Sequence, residues 1–240
     1  MTESDWCESR RVGPMLAWLR GTPGLVYKRR VQQHPRGRRR LLLFRAAVAR
    51  SVLYYVAATS IHRLVAAVEE LADGNETAAR VRDLHALCGV ELYPLVAEDA
   101  PVALVREYLQ TVSQLEFARQ AAVAAAPCGP DTEPWYRASA AIARAGVDMA
   151  TEIARQAALL RDIFGNPFRP ITFDPTWRTD TAVILAQQMY DSRNFGAMPI
   201  LADALQDAGC ESAEVLNHCR DPHAAHVRGC WVVDLVLGLS

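Results

Sequence analysis

The stretch RRRLLLFRAAVARSVLYYVAATSIHRLVAAVEEL, residues 38–71, decides the fold class. Its apolar positions Leu43, Val48, Val52, Val56, Ile61, Leu64, Val68 and Leu71 recur at steps of three to five residues, which puts them on or near one stripe of a helix. A strand would need strict alternation, and none is present. Thr59 and Ser60 are good N-cap residues and can split the run into two helices, while Asp73-Gly74-Asn75 ends it.

The same period extends in both directions. Pro14 opens a short helix ending at Arg20, with Gly21 just beyond it. Further helices are expected at about 76–88, 100–125 and 134–164. The last two are Ala-rich and separated by Pro127-Cys128-Gly129-Pro130, so they can approach closely as a bundle. The segment Gly165-Asn166-Pro167-Phe168-Arg169-Pro170, continuing to Phe173 and Trp177, combines fixed backbone with aromatic area. That composition predicts a rigid strap. After it come helices at about 179–191, 198–208, 212–220 and 224–237. Thr179 or Asp180, Pro199 and Ser212 provide their start signals. The expected architecture is all-α: an N-terminal bundle over 1–164 with an Arg-rich loop at 22–40, then the strap and a compact four-helix unit over 165–240. No internal repeat supports a solenoid.

Composition sets the class. With 51% hydrophobic and 22% charged residues in 240, the chain is globular and can bury a sizeable core. Asp5, Glu8, Arg10 and Arg11 interrupt any signal-peptide core, and Arg45 and Arg50 interrupt the most apolar run, 41–58. The expectation is a cytoplasmic protein with no membrane contact, whose six cysteines are reduced thiols or metal ligands. Net charge is −1, yet residues 1–50 carry twelve basic and three acidic side chains. Lys28, Arg29, Arg30, Arg36, Arg38, Arg39 and Arg40 form the densest part and are the candidates for phosphate contact. No aromatic residue interleaves them, and Pro35 and Gly37 predict a loop, so a solvated or docked segment is favoured over nucleic-acid binding. Trp6, Trp18 and Trp135 read as packing anchors, and Glu69-Glu70 as a solvated face or helix-end charges.

Chemistry concentrates at the other end. Cys210, His218, Cys219, His223, His226 and Cys230 fall within the last 31 residues. A helix over 224–237 would set His226, Cys230 and Asp234 on one face. Antiparallel packing on the preceding helix would add Cys210 or His218. Cys210, His218, His226 and Cys230 are therefore a candidate zinc set, although the spacing is not that of a standard finger. The structural reading is favoured: His226, Arg228, Cys230, Trp231 and Asp234 belong to a core helix, and Asp234 is neutralised by Arg228 or His226. No cofactor is then needed, and zinc is the alternative. A catalytic reading would make Cys230 a nucleophile, but an apolar helix interior would raise its pKa. No Gly-rich phosphate loop, H-E-x-x-H, G-x-S-x-G or C-x-x-C occurs, so no catalytic residue is assigned.

Three segments carry a resemblance: MTESDW…PMLAWLRG, QAALLRDIFGNPFRPITFDPTWRT, and YDSRNFGAMPILADALQDAGCESAEVLNHCRDPHAAHVRGCWVVDLVLG. They resemble a paralogous family of uncharacterised bacterial proteins abundant in planctomycetes. The likeness covers the start and roughly residues 156–238, and the Arg-rich stretch near 22–40 departs from the pattern. It implies a shared C-terminal unit and no particular reaction. These readings together point to a non-catalytic helical interaction or regulatory module whose partner is another protein. A zinc-binding protein or metal-dependent hydrolase built on 210–234 is the alternative, and nucleic-acid contact through the basic segment the third.

Overall fold

The computed structural model describes residues 1–20, 35–51, 53, 59–87 and 148–239, and among them the fold is all-α, a multi-helix bundle with no strand. The helices are α1 (Glu3–Glu8), α2 (Val12–Arg20), α3 (Pro35–Arg50), α4 (Thr59–Ala72), α5 (Ala78–Leu87), α6 (Met149–Phe164), α7 (Asp180–Ser192), α8 (Met198–Asp207), α9 (Ala213–Arg220) and α10 (Trp231–Leu237), with a 3-10 turn at Pro175–Trp177. The expected helix at 100–125 and Trp135 lie outside the described residues.

The chain forms two compact units, Met1–Val31 with Ala157–Ser240, and Gln32–Gln156. The division differs from the boundary expected after residue 164, because the N-terminus belongs with the C-terminal part. The first helix, α1, had no place in the periodicity argument: six residues are too few to show a stripe. Its start is nevertheless written locally, since the Thr2 side chain accepts from the Asp5 N–H while the Asp5 carboxylate accepts from Thr2 N–H. Trp6 is 1% exposed and donates from Nε1 to the Gly165 carbonyl at 3.0 Å. Arg161 donates to the carbonyls of Trp6 and Ser9, and Arg169 pairs with Glu3 at 2.6 Å. Trp18 stacks on Phe168, ring centroids 4.7 Å apart. These long-range contacts tie α1 and α2 to the strap.

The strap also reaches forward. Arg178 donates from its guanidinium to the carbonyls of Leu235 and Val236, closing the C-terminal end of α10. Gly165 ends α6 at φ +65°, and a Cβ there would stand 3.2 Å from Trp231 Cγ. Gly165→Ala should therefore cost about 2 kcal/mol, combining left-handed strain with a displaced indole. Chemical denaturation checks this, and a loss under about 0.5 kcal/mol would mean that Trp231 moves aside freely.

Local signals place the first three of the four C-terminal helices. Thr179 and Ser212 cap α7 and α9 through their side chains, and Pro199 lies in the first turn of α8. Their inward faces, including Met189, Leu201, Leu205, Val215, Val232 and Val236, form one buried cluster.

The unit Gln32–Gln156 corrects two expectations. Pro35 and Gly37 do not make a loop: α3 starts at Pro35, where the missing N–H of proline is tolerated. Arg36, Arg38, Arg39 and Arg40 therefore lie on a helix. Glu69 is not solvated but 2% exposed, and it forms a two-pronged ion pair with Arg50 across α3 and α4. Helical spacing from Leu64, Val65 and Val68 already placed position 69 beside the buried stripe.

Candidate functional site

Residue 162 had no role in the sequence reading, yet it organises the site. Asp162 lies in the last turn of α6, on its buried face with Leu159 and Ile163, and its side chain is 3% exposed. One carboxylate oxygen, Oδ2, accepts from the Val227 backbone N–H at 3.0 Å. The other, Oδ1, lies 2.9 Å from His226 Nδ1 and 3.2 Å from His218 Nε2. His218 Nε2 is in turn 3.3 Å from Cys230 Sγ, and His226 Nδ1 is 3.8 Å from the same sulfur. The four donor atoms all lie within 4.8 Å of one another, an arrangement able to hold a metal ion.

Each donor arrives by a different local route. His218 is in the last turn of α9, whose register is set by the Ser212 cap. His226 lies in the irregular segment between α9 and α10. Cys230 is the N-cap of α10 and follows Gly229, which has φ +95°. This corrects the expected helix at 224–237. A left-handed backbone at Gly229, with Cys230 N–H donating to Val227 carbonyl at 2.8 Å, makes a turn, and helix begins only at Trp231. His226 and Cys230 converge because the turn folds them together, not because they share a helical face.

The electrostatics suit a closed interior. Burial by itself would raise the Asp162 carboxyl, but hydrogen bonds from His218 and His226 and the attraction of both imidazoles outweigh it and hold the group below the ordinary carboxylate value. Cys230 is 0% exposed, and burial, then the neighbouring Asp162 charge, push its thiol well above the ordinary range. Burial followed by the neighbouring Cys210 pushes Cys219 up to about 12. Aromatic rings surround the imidazoles: Trp231 is 5.1 Å from the His218 ring and Phe195 is 6.5 Å from that of His226. The far nitrogen of His226, Nε2, is buried with no hydrogen-bond partner among the described residues, so Nδ1 anchors this ring.

Three of the four residues nominated for metal from sequence, His218, His226 and Cys230, are thus brought together. Cys210 is not with them: it is 1% exposed in the apolar core, and Asp162 takes the fourth place. Of the two partners expected for Asp234, Arg228 or His226, it is His226 that instead meets the carboxylate of Asp162. Asp234 is fully buried on α10, and the Arg228 guanidinium lies 4.6 Å over the Tyr190 ring. The last turn of α6 did carry a signal, since the apolar stripe through Leu159, Leu160 and Ile163 makes Asp162 a charge on an inward-facing turn.

Four of the basic candidates, Arg36, Arg38, Arg39 and Arg40, are described, all on α3. Arg39 is bound to Asp73 at 3.0 Å within its own unit, whereas Arg36 and Arg38 are exposed on α3. Lys28, Arg29 and Arg30 lie outside the described residues. Among those described, no helix is long and apolar enough to cross a membrane. No family model matches this chain, and no curated protein or solved structure does.

Proposed function

We propose that the chain is a non-catalytic helical module, a platform for a protein partner, and that the Asp162 cluster is the internal fastening of its C-terminal unit. One observation carries this reading. The cluster joins α6, at 162, to the segment 218–230 far along the sequence, while its one thiol sulfur, Cys230 Sγ, belongs to a residue with no solvent exposure. A catalytic thiol needs access and a lowered pKa, and this environment supplies neither. A metal-dependent hydrolase needs an open coordination position for water, whereas four protein donors leave none. Apolar contact points for a partner are present on the same unit, with Ile184 65% exposed on α7 and Ile200 58% exposed on α8.

The test is alkylation of the full-length chain near neutral pH, followed by peptide mapping. Cys7 is exposed and serves as the internal standard. Cys230 should be modified more slowly than Cys7 by roughly a hundredfold or more, because its sulfur is shielded from the reagent in the folded chain. Rapid labelling of Cys230 in the folded protein would overturn the non-catalytic reading.

A further inference from the structure

We propose that Asp162 Oδ1, His218 Nε2, His226 Nδ1 and Cys230 Sγ are the four ligands of a structural zinc ion. The proposal rests on reading the cluster as a fastening and names what closes it. Geometry is the first argument. Tetrahedral zinc holds its ligands at about 2.0–2.3 Å, so neighbouring ligand atoms stand about 3.3–3.8 Å apart. The distances here are 3.3 Å for His218 to Cys230 and 3.8 Å for His226 to Cys230. The two to Asp162 are 3.2 Å and 2.9 Å, short by at most a few tenths of an ångström. All four atoms lie within 4.8 Å of one another, so side-chain adjustments of about an ångström or less close the tetrahedron around an ion.

Charge is the second argument. Two neutral imidazoles, one carboxylate and one thiolate carry −2 together, so a divalent cation makes the buried group neutral, which a low-dielectric interior favours. As the sulfur–metal bond forms, Cys230 gives up its thiol proton to solvent, and no electron is transferred. Ligand chemistry is the third. A thiolate with two imidazoles is too soft for magnesium or calcium, which take oxygen ligands. A non-haem iron site of two histidines and one carboxylate keeps positions open, and Cys230 occupies that place here. The Val227 N–H on Asp162 Oδ2 supplies the outer-shell contact that orients a ligating carboxylate.

The experiment uses the full chain purified without a histidine tag and dialysed against metal-free buffer. Elemental analysis should return about one zinc per chain. Cobalt substituted for it should show the intense visible absorption of a tetrahedral site and a thiolate-to-cobalt charge-transfer band. Cys230→Ser should lose that band and weaken binding by more than the roughly 10–100-fold that loss of an outer-shell partner costs. Cys210→Ala should keep both the ion and the band. Wild-type protein that neither retains zinc nor binds added zinc or cobalt overturns the proposal, as does iron or copper in its place. Retention of the charge-transfer band by Cys230→Ser overturns the ligand assignment. A strong chelator separates the two readings. Zinc removed without any fall in melting temperature rejects the fastening but leaves the site. A metal-free chain that Asp162→Ala still destabilises rejects zinc but leaves the fastening.

Discussion

Asp162→Ala should remove about 4 kcal/mol of folding stability. The substitution leaves the buried Val227 N–H without its acceptor, which by itself costs about 1–3 kcal/mol. It also strips both imidazoles of the carboxylate they share and opens a void below α6. Breaking a buried charged pair from one side costs about 3–5 kcal/mol in general, and Asp162 holds two such partners. For a chain of this size the melting temperature should fall by about 10 °C. Asp162→Asn keeps the volume and an acceptor for Val227, so it should recover part of the loss. Urea denaturation of the three proteins measures this. A loss below about 1 kcal/mol for the alanine variant would show that the cluster does not hold the C-terminal unit together.

Trp6→Ala should be of comparable size, about 4 kcal/mol, although it lies far from the cluster in sequence. Trp6 is the largest fully buried side chain contributed by the N-terminal helices. Its removal leaves a cavity at the Trp18 ring, 5.9 Å away, and frees the Gly165 carbonyl. Trp6→Phe retains most of the buried area but not the N–H donor, so it separates the two contributions; it should cost about 1–2 kcal/mol. If Trp6→Ala is neutral, residues 1–20 are not part of the C-terminal core, and the long-range contacts around Gly165 carry no stability.

Helices were legible because their determinants are local. The stripe positions Leu43, Val48, Ile61, Leu64, Val68 and Leu71 on α3 and α4, the caps at Thr179 and Ser212 and the proline in the first turn of α8 each act within a few residues, so neighbouring positions alone specify them. Even the failure over 224–230 is local in origin, since Gly229 at φ +95° breaks a run whose composition otherwise suits a helix. His218, His226 and Cys230 could be nominated by residue type and density within 31 residues. Their true partner could not, because Asp162 lies 64 positions before His226, and no period or motif links two residues at that distance. Periodicity marks a buried carboxylate as needing a partner without saying which one. Only packing decides it, when the end of α6, the end of α9 and the turn at Gly229 are driven together by the apolar surface they bury. The same holds for the N-terminus: a capping box announces α1, but its place beside the strap depends on where an indole finds a cavity of its size and an acceptor for its N–H.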